Sequence, residues 1–146
     1  GRDGDVIEPL RLYLQHEEAE AAAWSRLARA CMRTANLDEA LKALRHEASI
    51  RDSSAVWNNL GVVRSLRNET VRALECFKRA VEKAESPDDW SAHLAARNIG
   101  QALLSRGLLD EALQFTTRLI EADVDGTFLC SDTLSDIYAF NLHALR

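Results

Sequence analysis

Residues 57–61 read Trp57-Asn58-Asn59-Leu60-Gly61, and Ala73, Phe77 and Ala80 follow at fixed intervals. This W-x₂-L-G…A-x₃-F spacing describes a helix–turn–helix unit of about 34 residues. The same landmarks recur on both sides. Trp24, Leu27, Ala28 and Ala40 precede the quoted stretch, and the step from Trp24 to Trp57 equals that from Ala40 to Ala73. Gly100 and Ala112 follow it, and the longer step from Gly61 to Gly100 equals that from Ala73 to Ala112. The landmarks move together, so one register holds across three units. Such a unit cannot bury its apolar face alone; it stacks on its neighbours and leaves a groove.

The pattern resembles that of the tetratricopeptide repeat. The resemblance covers nearly all of the chain and is strongest over residues 54–86. It departs from the pattern at Ala28, which replaces Gly, at Ala96, which replaces the third Trp, and at Arg64 and Leu103, which replace Tyr. It implies an all-α, right-handed α-solenoid of antiparallel helix pairs, about seven helices in one domain. The expected division is 1–20 as the second helix of a preceding unit, 21–53 as unit 1, and 54–86 as unit 2. Residues 87–125 make unit 3, with a longer first helix, and 126–146 the first helix of a truncated unit or cap. Leu134 and Tyr138 carry the spacing at that end. The sequence begins with Gly1 and within a unit, so we expect a piece of a longer chain.

Composition agrees with a soluble domain. The chain has 146 residues, 47% hydrophobic and 28% charged, enough apolar residues for a core. No run approaches the roughly 18 apolar residues of a membrane helix, and no signal peptide is visible. The net charge of −5 argues against nucleic acid as a partner. Cys31, Cys76 and Cys130 are an odd set at irregular spacing in helical patterns. They read as reduced small apolar residues, with a cytoplasmic location implied.

The punctuation is helical. Asn36-Leu37-Asp38-Glu39 and Gly107-Leu108-Leu109-Asp110-Glu111 place acids at helix starts, where the macrodipole favours them; they are not paired catalytic carboxylates. Ser86-Pro87-Asp88-Asp89 predicts a helix from about Pro87 to Ser105, capped by Ser86. Trp90 on its first turn is a candidate anchor at the groove edge. Asn68-Glu69-Thr70 reads as a turn with Asn68 or Thr70 capping, not as a glycosylation site.

No catalytic site, metal site or cofactor is expected. His46-Glu47 begins like a zinc-protease motif, but residue 50 is Ile. His16-Glu17 fails likewise at Glu20. There is no Cys-x-x-Cys, P-loop, dinucleotide turn or nucleophile elbow.

The resemblance places the first helix of each unit along the concave surface. The expected groove residues are Ser25, Arg26, Arg29 and Arg33 of the first unit, Asn58, Asn59, Val62 and Leu66 of the second, and Arg97, Asn98 and Gln101 of the third. Asn59 and Asn98 each precede their unit's Gly by two residues and resemble an asparagine ladder, since a side-chain amide pairs with both peptide N–H and C=O. Arg26, Arg29 and Arg33 share a helix face and suit carboxylates, so an acidic protein or peptide is the expected partner. At the places of the family's chaperone clamp stand Ser25, Arg29, Asn59, Leu94 and Asn98. Only Asn59 is a direct match, which speaks against chaperone binding. The expected function is a non-catalytic scaffold or adaptor module. The alternatives are self-association through uncovered terminal helices, giving a homo-oligomer, and a sensor or regulatory arm of a larger enzyme or transcription regulator.

Overall fold

The computed structural model describes residues 2–16, 20–86 and 89–108, together with 110, 111, 114, 115 and 117. Six helices run in order: α1 Arg2–His16, α2 Ala21–Arg33, α3 Leu37–Ile50, α4 Ser54–Leu66, α5 Thr70–Glu82 and α6 Trp90–Ser105. Among the described residues there is no strand. Helices α2 and α3 pair, as do α4 and α5, and each pair packs on the next element in the chain. The result is an α-solenoid. The expected terminal helix around Leu134 and Tyr138 lies outside the described residues.

Three helices, α2, α4 and α6, end in the same way. Ala35, Asn68 and Gly107 adopt left-handed backbones, with φ of 58°, 61° and 71°. They occupy one register place, separated by the same two steps as the sequence landmarks. At each, the next residue's N–H reaches back to a helix carbonyl: Asn36 to Cys31 at 2.8 Å, Glu69 to Arg64 at 2.9 Å, Leu108 to Leu103 at 3.1 Å. This is the Schellman closure, which satisfies carbonyls orphaned at a helix end. Glycine adopts it freely, asparagine tolerates it, and alanine does so at a cost. Asn68 thus ends α4 and does not cap α5, whose N-cap position falls on Glu69 with no side-chain bond.

The longest helix, α6, starts at Trp90, later than the sequence pattern predicts. Asp89, not Ser86, caps it, accepting from the amides of Ser91 at 3.1 Å and Ala92 at 3.2 Å. The same carboxylate accepts from the Ser54 hydroxyl at 2.6 Å. It therefore serves two helices, which Ser86 is not placed to do. Pro87 and Asp88 lie outside the described residues.

The buried apolar residues form two clusters. One joins α1 to α4 through Leu10, Leu14, Leu27, Leu44, Val56 and Leu60. The other holds Phe77, Ala80, Ala95 and Ile99, with Phe115 packed against it. Trp57 borders both. Gly61 has a specific reason to lack a side chain: a Cβ there would lie 2.4 Å from Cε1 of Phe77.

Candidate functional site

Helices α4 and α6 lie against each other and carry all of the expected second- and third-unit groove residues. Two polar ties join them. Ser54 reaches Asp89, and one turn further on Nδ2 of Asn98 donates to Oδ1 of Asn58 at 3.1 Å. Asn58 therefore differs from its expected place on an exposed wall. It is only 6% exposed, because it sits in the α4–α6 contact, where a buried amide needs a partner. On α2 the corresponding places are Ala21 and Ser25. Ala21 has no side-chain hydrogen bond to offer, and α2 makes no contact with α4 comparable to that between α4 and α6.

Beside these ties runs a channel of about 320 Å³, lined by Val62, Leu66, Phe77 and Ala102 with Ser65, Asn98, Gln101 and Ser105. Its lining carries no charged side chain. Val62, Leu66, Asn98 and Gln101 of the expected set are brought together here. Asn58 holds Asn98 from below, and Asn59, the next residue on α4, is half-buried. Among the described residues, Asn98 keeps its carbonyl oxygen and second N–H without a protein partner. Phe77 adds an apolar depth that the expected groove positions did not include, while Leu66 stands exposed at the edge. Phe77 had signalled it only as a core residue.

The arginines stand elsewhere. Arg26, Arg29 and Arg33 are exposed on α2 and do not line the channel. Arg33 is bound to Asp3 of α1 at 2.6 Å, and its guanidinium holds that carboxyl below the usual range. Arg97 is exposed on α6 and already engaged in an interaction. Trp90 is 57% exposed at the start of α6, so the ring is presented and not packed away.

Chemistry of other kinds finds little support. Among the described residues no three His, Cys, Asp or Glu side chains are grouped as metal ligands. Burial, together with the Glu39 carboxylate, pushes the Cys31 thiol up to about 11, and burial pushes Cys76 up as well. Neither forms the thiolate a nucleophile requires. Cys130 lies outside the described residues. No described helix is long and apolar enough to cross a membrane.

No protein-family model matches the sequence, and no curated protein matches it. Solved structures do. One structure of MamA superposes with a TM-score of 0.74 at 22% identity, covering 84% of this chain and 65% of the MamA chain. This chain thus spans slightly less than two thirds of that protein. A second MamA structure gives a TM-score of 0.68 at 15% identity over 95% of this chain and 84% of the other. The nearly identical TPR-like repeats of a Podosopora anserina protein designated a kinesin light chain give 0.73 at 16% identity, over 99% and 83%. At these identities the likeness shows the fold, which is that of tetratricopeptide-like helical repeats.

Proposed function

From a tetratricopeptide-like fold with an uncharged channel along its first helices, we propose a non-catalytic protein-interaction module. It holds a peptide or protein segment between α4 and α6 and acts as a scaffold or adaptor. The observation that carries this reading is the channel itself. It has an apolar floor at Val62 and Phe77, with Leu66 exposed at its edge, and a rim of amides and hydroxyls at Asn98, Gln101, Ser65 and Ser105. An extended peptide needs both: a place for an apolar side chain, and donor–acceptor pairs for its backbone.

Asn59 and Asn98 pair with the ligand backbone, with Asn98 pre-set by Asn58. Arg26 and Arg29 on α2 meet acidic groups of the same partner beyond the channel. Trp90 anchors its edge. The N59A/N98A double variant tests this in a pull-down against the unaltered chain. Captured partners are lost while far-UV circular dichroism is unchanged. Undiminished capture removes both residues from the site.

One observation favours self-association as a second reading. In α3, Ala40, Ala43 and Glu47 are buried. The corresponding places on α1, Val6, Pro9 and Tyr13, are exposed, with Leu12 beside them. A second copy would cover this face, and light scattering that stays at the monomer mass over a wide concentration range would exclude it.

A further inference from the structure

Between α1 and α3, over the α2 tryptophan, lies a second pocket that shares no residue with the α4–α6 channel. It encloses about 340 Å³. Its floor is apolar, formed by Leu14, Trp24, Leu27 and Ala43. The His46 ring stacks on Trp24, with centroids 4.3 Å apart and planes 14° from parallel. That size and composition fit one aromatic or branched side chain, at the small end of ligand pockets.

The charges around the floor are unequal. Glu39, the one carboxylate in the lining, is held by Arg11, whose Nε donates to Oε1 at 2.6 Å, and it also accepts from Asn36 at 2.8 Å. Arg11 holds the Glu39 carboxyl below its usual range, so it stays a paired anion. Lys42 and His46 lie one turn apart on α3, on the same face. Among the described residues neither the Lys42 ammonium nor a ring nitrogen of His46 has a hydrogen-bond or ion-pair partner. Arg11 is shared between Glu39 and Glu8, whose Oε2 accepts from Nη1 at 2.9 Å, so the cation the pocket offers unpaired is Lys42. Gln15 adds an amide at the rim.

The chain contains its own comparison. Trp57 is the counterpart of Trp24 one unit on, and Arg79, the counterpart of His46, covers it at 4.7 Å. There Glu75 replaces Lys42, Arg72 replaces Glu39, and Cys76 replaces Ala43. That cleft has no leucine floor, and both Glu75 and Glu82 line it. The same register place thus has a leucine floor with few charges in one copy, and in the other no leucine floor and a rim of Arg64, Arg72, Lys78 and Arg79 with Glu75 and Glu82.

We propose that the α1–α3 pocket binds a peptide through an apolar side chain that lies next to a carboxylate. The side chain fills the space over Leu14, Trp24 and Leu27. The carboxylate is held by Lys42 and His46, and the Gln15 amide pairs with the adjoining peptide bond. The site is independent of the channel proposed above.

The test uses the 146-residue chain and two small probes of nearly equal shape, N-acetyl-phenylalanine, which carries a carboxylate, and its neutral amide. In a ¹H–¹⁵N titration the acid shifts the Trp24 indole and the α3 amides around Lys42 and His46. It binds at least fivefold more tightly than the amide. In K42Q/H46Q, with circular dichroism unchanged, acid affinity falls to that of the amide, whereas N59A/N98A leaves it intact. Equal binding of acid and amide, undiminished binding in K42Q/H46Q, shifts confined to the channel, or no shift at millimolar probe would each overturn the proposal.

Discussion

Replacing Gly61 by alanine sets two effects of opposite sign against each other. Gly61 lies inside α4, where alanine is ordinarily better than glycine by about 0.5–1 kcal/mol. The new Cβ, however, would fall 2.4 Å from Cε1, 2.5 Å from Cδ1 and 2.9 Å from Cζ of Phe77. Phe77 is only 2% exposed and packs with Ala73, Ala80, Ala95 and Ile99, so moving its ring away from Gly61 toward the channel breaks those contacts. Forcing extra volume into a packed core typically costs about 1–3 kcal/mol, so G61A destabilises by roughly 1–2 kcal/mol net. The chain shows how the conflict is relieved. One unit earlier Ala28 and Leu44 hold the same two places, both fully buried. In an F77L background G61A should therefore change sign and stabilise by about 0.5–1 kcal/mol. Urea unfolding of the four proteins of this double-mutant cycle, followed by far-UV circular dichroism with the slopes compared, measures the coupling. The coupling should be about 2 kcal/mol, within the range for residues in contact. If G61A destabilises equally in both backgrounds, or stabilises in both, the ring is not what requires glycine.

Two further outcomes follow from the turns and caps. A35G should raise stability by up to about 1 kcal/mol, seen as an increase in melting temperature of a few degrees, because it removes the side chain from a left-handed backbone; an unchanged or lowered midpoint would show that Ala35 is not strained. Burial pushes the Asp89 carboxyl up, but the hydrogen bonds from the Ser54 hydroxyl and the amides of Ala92, Glu85 and Ser91 outweigh it and leave the group below its ordinary value of 3.8. Its contribution is therefore complete above that value and is lost as pH falls through the lower folded value. Amide exchange at Ser91 and Ala92 should accelerate across that acid range. D89N should abolish the pH step, and D89A should cost about 1 kcal/mol at neutral pH.

The repeating landmarks made the architecture legible, because Trp24, Trp57, Gly61 and Phe77 are local contacts within and between neighbouring helices. The candidate site was legible in part. Val62, Leu66, Asn98 and Gln101 meet in one channel because a helix face follows directly from residue spacing. Asn58 and Asn59 could not be ranked from spacing, since only the approach of α6 decides which of two adjacent amides is buried. Arg33 was expected in the groove, but its ion pair depends on Asp3, a helix hairpin away in the chain. The start of α6 was misplaced because Ser86 and Asp89 are both good caps, and the choice rests on Ser54, which lies 35 residues before Asp89. The α1–α3 pocket was not anticipated. His46 had been weighed only as a metal ligand, and its stacking on Trp24 is a tertiary fact.

The recurring left-handed turn bears on how the molecule is made. Each such turn ends its helix with a short-range bond, the N–H of Asn36 donating to Cys31, that of Glu69 to Arg64 and that of Leu108 to Leu103. A hairpin sealed from within its own stretch of chain can form as soon as it leaves the ribosome, before the next has been synthesised. Assembly then proceeds from the amino-terminal end, each newly emerged hairpin settling on one already in place.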